Sequence, residues 1–299
     1  MVTIALTFIV AILVAPLLAH LYWRLRYGPP SPDQIPILAY HKVDPRFELG
    51  GTRTTPRQFA RQMRFLADNG YQTVTLSQAA TLMNEGRSGE RKYVCLTFDD
   101  AYESLYFHAW PVLKQHGFTA TIFAVADFVG AENTWDINWL GLRFRHMSWE
   151  QMREMRAAGI EFGSHGASHW DLRYLSDAEL DREVRGSKQI LEQGLGAPVT
   201  TFSYPFGRDD DRVKRAVEQA GYAAACSLSP RPRNSETNYF ALRRCGVYIT
   251  DVLWDFRHKV DQRSPWFWIE DLFSRGVNFC AGGTALAKRI RGYRRNTDH

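Results

Sequence analysis

Charged residues are missing from the start of this 299-residue chain: the first 23 positions contain no Asp, Glu, Lys or Arg. As a helix this segment would be about 33 Å long, which is enough to cross the hydrocarbon core of a bilayer. A cleaved signal peptide is the alternative, but the segment begins without a basic side chain, and Pro16 interrupts the expected cleavage site. The pattern therefore predicts a transmembrane anchor over 1–23, followed by a stiff proline-rich linker over 24–34.

Basic residues are also unevenly placed around this apolar segment. None precedes it, whereas Arg24, Arg26, Lys42 and Arg46 follow it. The positive-inside rule then favours a single-pass protein of the bacterial inner membrane with its main domain on the cytoplasmic face, although such an anchor can insert either way. The aromatic and basic C-terminal tail, 261–299, is expected either to lie on an anionic membrane surface or to be solvated.

Cysteine is scarce, and its spacing excludes several classes of protein. The four cysteines form no CxxC pair, which argues against a structural zinc site and a disulfide framework. Cys95 lies in an apolar run and is predicted to be buried, while one disulfide between Cys226 and Cys245 remains possible. The net charge of +5 is concentrated near the two ends, and no nucleic-acid-binding motif occurs. We therefore expect no nucleic acid as partner and a membrane as neighbour.

From Ile35 onward, short apolar runs alternate with amphipathic helical patterns. Alternation at this pace predicts parallel βαβ units, and hence an α/β fold built as a distorted or incomplete (β/α) barrel of about seven parallel strands. A flat doubly wound sheet is the alternative. The predicted strands are Ile35–Tyr40, Thr73–Leu76, Tyr93–Phe98, Ala120–Ala126, Ile160–Gly163, Val199–Tyr204, Tyr222–Ser227 and Leu242–Ile249.

Polar side chains follow three of these strands. His41 follows the first, Asp99 and Asp100 follow the third, and His165 and His169 lie just beyond the strand that ends at Gly163. Because functional side chains of parallel α/β folds collect at the carboxyl ends of the strands, we expect these residues to share one rim.

The residue types at this rim are those of a catalytic metal site. His165 and His169 are four residues apart, which in one helical turn would place both rings on one side. With Asp100 they would offer two nitrogens and one carboxylate, leaving positions open for water, while Asp99 would stay free as a base. Taken singly, the Asp pair could be a helix cap and the spacing of the His pair could be due to chance. Because both pairs occur at the ends of predicted strands, we favour the metal site.

The segments LTFDDAYES, FGSHGASH and FSYPFG, in this order, resemble the motifs of the polysaccharide deacetylase family (the NodB-homology domain, carbohydrate esterase family 4). The resemblance runs from about Ile35 to Ile249 and implies a deacetylase domain over 35–260. It implies that Asp99 is the catalytic base. It also implies that Asp100, His165 and His169 hold a divalent metal ion, with zinc favoured over cobalt or nickel.

The chain departs from the family pattern at several positions. Ala101 replaces the usual Gly after the Asp pair, Gly166 replaces the usual Ser or Thr, and Ser203 replaces the usual Arg. Arg243 or Arg208 could take over the role of that Arg. The C-terminal Leu-x-His motif is missing, but ILAYHKV resembles the permuted arrangement of the biofilm poly-N-acetylglucosamine deacetylases, which implies that His41 is the general acid.

The resemblance implies hydrolysis of an N-acetyl group on an amino-sugar glycan or a lipid-linked sugar. The turn after the predicted strand Val199–Tyr204 is expected to bind the substrate with its backbone N–H groups and its aromatic rings. A glycan-binding pseudoenzyme and a metal amidohydrolase or deformylase for another amide are the alternatives, and the oligomeric state is left open. The predicted substrate-binding residues are Tyr204, Pro205, Phe206 and Gly207.

Overall fold

The computed structural model describes residues 14, 16, 18–26, 34–48, 51–135, 142–228 and 237–290. Within them, a nine-stranded sheet with parallel pairings forms the centre of the domain, and a two-stranded sheet lies apart from it. The strands are β1 (Ile37–Tyr40), β2 (Lys42–Val43), β3 (Arg53–Thr54), β4 (Gln72–Val74), β5 (Tyr93–Phe98), β6 (Thr121–Ala124), β7 (Glu161–Ser164), β8 (Thr201–Ser203), β9 (Ala224–Ser227), β10 (Leu242–Arg243) and β11 (Cys245–Gly246). The helices are α1 (18–26), α2 (Pro56–Asp68), α3 (Leu76–Asn84), α4 (Trp110–His116), α5 (Trp149–Ala157), α6 (Asp177–Asp181), α7 (Ser187–Leu195), α8 (Asp211–Gln219), α9 (Leu253–Val260) and α10 (Phe267–Ile290).

The large sheet closes on itself through one short stretch of chain. Its strand order is β10-β9-β8-β7-β6-β5-β1-β11, with β4 beside the first half of β5. Only Arg244 separates β10 from β11, so this stretch pairs with β9 at Leu242↔Cys226 and with β1 at Leu38↔Cys245. The result is a nearly closed parallel barrel surrounded by helices, and not the flat sheet kept as the alternative.

The wall of this barrel separates two hydrophobic clusters. Strand side chains alternate between the two faces, so Ile37 belongs to the inner cluster and its neighbour Leu38 to the outer one. Cys95 is buried in the inner cluster, as predicted. Cys226 also lies in the inner cluster, whereas Cys245 lies in the outer one, and both thiols are free. The wall between them explains why the disulfide considered from the sequence does not form.

Hydroxyl side chains cap the N-termini of α5 and α6. Ser148 and Ser176 each accept a hydrogen bond from a backbone N–H one turn later. The helices α6 and α7 that follow Ser176 are joined by a π-helical turn over Arg182–Gly186. This turn lies beside the metal-ligand loop described below.

No helix among the described residues is both long and apolar enough to span a membrane. This finding contradicts the transmembrane helix predicted over 1–23, and with it the predicted single-pass location in the inner membrane. Residues 1–13, 15 and 17 of that segment, and 27–33 of the predicted linker, lie outside the described residues. The described end of the segment, α1, packs on the domain: Trp23 is 5% exposed and donates a hydrogen bond to Asp271 of α10 at 2.6 Å.

Part of the region predicted as a C-terminal tail is also folded onto the barrel. Phe267, Glu270, Asp271 and Ser274 of α10 are buried. Lys259 of α9 is fully buried between Asp251, which it contacts closely, and Glu270, whose carboxylate is 3.5 Å away. These contacts join α9 and α10 to the segment that follows β11. Residues 291–299 lie outside the described part of the chain.

Candidate metal centre and active site

Two carboxylates lie at the carboxyl end of β5. Asp99 and Asp100 are 2% and 4% exposed, and a left-handed backbone follows at once, with φ of 71° at Asp100 and 49° at Ala101. Consecutive residues of a strand normally face opposite sides, but this backbone breaks the alternation. Both carboxylates therefore face His165: its Nε2 lies 4.0 Å from Asp99 Oδ2 and 3.7 Å from Asp100 Oδ1.

The two histidines are brought together by a loop and not by the helical turn that their spacing suggested. His165 directly follows β7, Gly166 has a φ of 81°, and His169 has a φ of 59°. The ring centroids of the histidines are 4.8 Å apart, and His169 Nε2 lies 3.7 Å from Asp100 Oδ1. Ligand atoms of Asp100, His165 and His169 all lie within 4.8 Å of one another.

This set of donors fits a divalent metal ion. All three side chains are buried, and together they offer one carboxylate oxygen and two imidazole nitrogens. His165 Nδ1 is 2.7 Å from the backbone carbonyl of Ser203, so it must carry the hydrogen of that bond. Its Nε2 then presents a lone pair toward Asp100, which is the usual way in which an outer hydrogen bond orients a metal-binding histidine.

Asp99 is held by an arginine that the sequence analysis missed. Arg244 is fully buried and donates to both carboxylate oxygens of Asp99, at 2.7 Å and 2.8 Å. Ser203 Oγ, at the position of the missing family Arg, donates to Asp99 Oδ1 at 3.2 Å. Burial by itself would raise the pKa of Asp99, but the guanidinium of Arg244 outweighs it and holds that pKa well below its usual range.

The sequence analysis named Arg243 and Arg208 for this role. Arg243 instead faces away from the barrel interior, where it pairs with Asp271 of α10, and no contact joins Arg208 to Asp99. Adjacent strand residues face opposite sides, so only one of Arg243 and Arg244 can reach Asp99. Strand alternation was the signal that could have directed attention to Arg244, but it required the register of this strand.

His41 approaches the same carboxylate oxygen of Asp99 as His165 does. Its Nε2 is 3.9 Å from Asp99 Oδ2, and its side chain is 25% exposed. Burial lowers the pKa of His41 to about 4, while the neighbouring charge of Asp99 acts in the opposite direction. His41 directly follows β1, and all four residues of β1 pair with β5, which ends just before Asp99.

The turn predicted to bind substrate lies beside His169. Phe206 has a φ of 59°, and its ring packs edge-on against His169 with centroids 4.7 Å apart. Tyr204 is fully buried and donates its hydroxyl to the carbonyl of Phe240, and Pro205 is buried too. The N–H of Gly207 donates to the carbonyl of Tyr204 at 2.8 Å. Of these four residues, Phe206 therefore has the side chain that is best placed to meet a substrate.

A second pair of residues that the sequence analysis did not name supports the metal ligands. His146 Nδ1 lies 2.6 Å from the backbone carbonyl of Asp100, and its Nε2 accepts a hydrogen bond from Trp135. The ring of Trp135 in turn packs against His169 with centroids 4.0 Å apart. Both residues come from the connection between β6 and α5, which follows no recognisable motif.

Comparisons with known proteins agree with this geometry. Residues 86–225 match the family described as polysaccharide deacetylase. YxkH of Bacillus subtilis (strain 168), which carries the name of that family, is 32% identical over 217 residues, covering 73% of this chain and 72% of YxkH. The chain belongs to the polysaccharide deacetylase family. It is thus a hydrolase of the type that acts on the N-acetyl amide bonds of polysaccharides.

Two further proteins are similar to this chain over most of its length. The poly-β-1,6-N-acetyl-D-glucosamine N-deacetylase of Staphylococcus aureus (strain COL) is 25% identical, covering 72% of this chain and 76% of its own. The solved structure of IcaB from Ammonifex degensii superimposes with a TM-score of 0.62 at 25% identity, covering 78% of this chain and 97% of IcaB. The expected family is confirmed.

Proposed function

We propose that this deacetylase removes N-acetyl groups from a polymer of N-acetylglucosamine, using a divalent metal ion held by Asp100, His165 and His169. The observation that carries the proposal is the convergence of these three buried ligands with an arginine-clamped Asp99 at one end of a parallel barrel. When bound, the ion would polarise the amide carbonyl and make a water molecule acidic at neutral pH. Zinc is the ion we favour for two imidazoles and a carboxylate.

Asp99 is the base in this proposal. Its position beside Arg244 keeps it ionised, but a carboxylate whose pKa is so low removes a proton readily only from an acidified water. The clamp also fixes the carboxylate in one orientation, because Arg244 donates a hydrogen bond to each of its two oxygens. Asp99 therefore depends on the adjacent metal ligands for its function.

His41 is the general acid in this proposal. An amide nitrogen cannot leave as an anion, so a proton must reach it when the carbon–nitrogen bond breaks. His41 lies 3.9 Å from Asp99, and a quarter of its side chain is exposed, so it can approach both the base and a bound sugar. Because burial favours the neutral ring, the protonated form gives up its proton easily. The products are acetate and a glycan with a free amine.

The choice of substrate rests on the relatives. The Staphylococcus aureus relatives are named for poly-β-1,6-N-acetyl-D-glucosamine, and they match nearly as large a share of the chain as YxkH does. Neither the described residues nor these relatives support the lipid-linked sugar that the sequence analysis also considered. A polymer is therefore the substrate that we favour.

The test is release of acetate from oligomers of β-1,6-linked N-acetylglucosamine by the full chain, first stripped of metal and then given zinc, cobalt or nickel. We expect activity to return with one of these ions in the wild type but not in Asp100→Ala or His169→Ala. Asp177→Ala, which removes an exposed ion pair with Arg212 outside the site, is the matched control and should stay active. Metal binding without acetate release would favour a glycan-binding pseudoenzyme. Release from small amides alone would favour an amidohydrolase of another kind.

A further inference from the structure

The loop between the two metal-binding histidines is held by a carboxylate that belongs to a different element. Glu183 lies in the π-helical turn between α6 and α7, and it is only 3% exposed. Its Oε2 accepts the backbone N–H groups of Ala167 and Ser168, each at 2.9 Å. Its Oε1 accepts the hydroxyl of Ser168 in a short contact. One side chain thus satisfies three donors within the five residues that contain both histidines.

The backbone of the same loop is also held from its other side. The N–H groups of Ala126 and Asp127, in a short helical turn after β6, donate to the carbonyls of Gly166 and Ala167 at 3.1 Å and 2.9 Å. Both the donors and the acceptors of the loop are therefore fixed by neighbouring elements. This grip holds His169 in a left-handed conformation that a non-glycine residue does not adopt by itself.

Gly166 makes room for this carboxylate. A Cβ added to Gly166 would lie 2.9 Å from Glu183 Oε2, and the φ of 81° already disfavours any other residue there. Glycine at this position, where the family usually has Ser or Thr, therefore leaves space for the carboxylate of Glu183. In this chain three of the hydrogen bonds that hold the loop are accepted by Glu183.

We propose that Glu183 is a positioning residue for the metal site: it sets the spacing of His165 and His169 by binding the backbone between them. This inference rests on the metal site proposed above. Outer partners of metal ligands typically change metal affinity by about 10- to 100-fold when they are removed. Here the partner acts through the backbone and not through an imidazole, so its effect should appear in binding of the ion itself.

The test measures the zinc affinity of the full chain by competition with a chromophoric chelator. Glu183→Leu keeps the bulk of the side chain and removes all three acceptors, and we expect zinc affinity to fall about 10- to 100-fold. Glu183→Gln is the conservative variant, since its carbonyl can accept both N–H groups while its amide donates to Ser168 Oγ. Its loss of zinc affinity should stay below about 10-fold, the lower end of that range.

Glu192→Leu is the matched control. Glu192 lies on α7 and also accepts a backbone N–H, that of Val199 at 3.0 Å, but it does not touch the loop between the histidines. It should lower the melting temperature without changing zinc affinity. If Glu183→Leu does not fold, Ser168→Ala removes one of the three donors and should weaken zinc binding measurably while the protein stays folded.

Wild-type zinc affinity in the folded Glu183→Leu variant would overturn the proposal, as would an equal loss in Glu183→Gln. If the wild type itself bound no divalent ion, the result would contradict the proposed metal site, and with it the role proposed for Glu183. Zinc affinity that falls in Glu183→Leu and Ser168→Ala, but not in Glu183→Gln or Glu192→Leu, would support the positioning role.

Discussion

At the scale of single residues, the clearest feature is the division of work between the two consecutive aspartates. Asp100 faces the histidines, while Asp99 is occupied on one side by Arg244 and approached on the other by His41. The left-handed backbone at Asp100 makes this division possible within two adjacent positions. Strain of this kind persists only where surrounding contacts over-determine it, which is common at functional sites.

Arg244→Lys should lower the turnover number and move the acid side of the pH profile upward. A lysine keeps a positive charge but cannot bind both oxygens of Asp99 in a fixed orientation. The pKa of Asp99 would then rise toward its usual value. Since the base must be ionised, activity would be lost at a higher pH as the solution is acidified. The check is the pH dependence of kcat/KM at saturating metal.

Arg243→Lys is the control for this change, because Arg243 lies next to Arg244 but pairs with Asp271 on α10. Its pH profile should match that of the wild type. An unchanged profile in Arg244→Lys would mean that the guanidinium does not tune Asp99.

His41→Ala should keep the metal and lose turnover. A lost general acid typically costs about 10²–10⁴-fold in rate. His41 is not one of the three clustered ligand residues, so zinc binding should be unaffected. Acetate release and bound metal are measured on the same sample. His108→Ala, on the π-helical turn over Leu105–Ala109, is the control. If His41→Ala released acetate as fast as this control, His41 would have no role in the mechanism.

At the scale of elements, α9 and α10 depend on a buried charge cluster. Lys259 is fully buried and lies against Asp251 and Glu270. Burial raises the pKa of both carboxylates, and Lys259 opposes that rise. The cluster joins two helices to the segment after β11 without any covalent link. Its removal should therefore be felt in both helices together.

Lys259→Met should destabilise the domain by about 3–5 kcal/mol at pH 7, because it leaves two buried carboxylates without a cation. Their pKa values in the folded state would then lie further above those in the unfolded chain. The folded state would bind more protons, so stability would fall as pH rises. The deficit should be smaller at pH 5 than at pH 8 in urea unfolding.

The half-buried pair of Lys188 and Glu192 offers a control for this change. Lys188→Met removes a lysine from a more exposed pair and should cost less than Lys259→Met, because about a third of the Glu192 side chain stays in contact with water. A pH-independent deficit in Lys259→Met would mean that lost packing, and not uncompensated charge, is the cause.

At the scale of the whole molecule, the two ends of the described chain meet on one side of the barrel. Trp23 of α1 packs against Phe267 of α10 with ring centroids 6.4 Å apart and donates to the buried Asp271. Asp271 also binds Arg243 of β10, so this contact continues to the strand that closes the barrel. The beginning of the described chain thus supports the segment that carries Arg244.

Trp23→Ala should destabilise the domain by about 3–5 kcal/mol, the range for removing a large buried aromatic side chain. It also leaves Asp271 without one of its donors. Leu25→Ala on the same helix is the control, since Leu25 is 66% exposed and should change stability little. Thermal unfolding of the two variants is the measurement. Equal melting temperatures would show that α1 contributes nothing to the fold.

Much of the barrel and of its rim could be predicted from local patterns. Alternation of strand and helix signals determined the parallel architecture, and polar residues directly after strands determined that Asp99, Asp100 and His165 would share one end. These signals lie within a few residues of the positions that they describe. The three motifs also determined the family, which the comparisons show.

The prediction from hydropathy was wrong. Hydropathy depends only on the apolar character of the residues and not on what they pack against, so it predicted a membrane helix where the described residues contain none. Trp23 was counted in that segment, yet its ring is buried against α10. His165 and His169 were brought together as predicted, but by a loop that Glu183 holds from another element.

Only the tertiary structure decided which arginine serves Asp99. Arg244 lies 145 residues away from Asp99 in the sequence, and nothing local distinguishes it from Arg243. The difference is the register of the strand that closes the barrel, which is set by its pairing with β9 on one side and β1 on the other. A shift of one residue would turn Arg243 inward and Arg244 outward, because strand side chains alternate with a period of two.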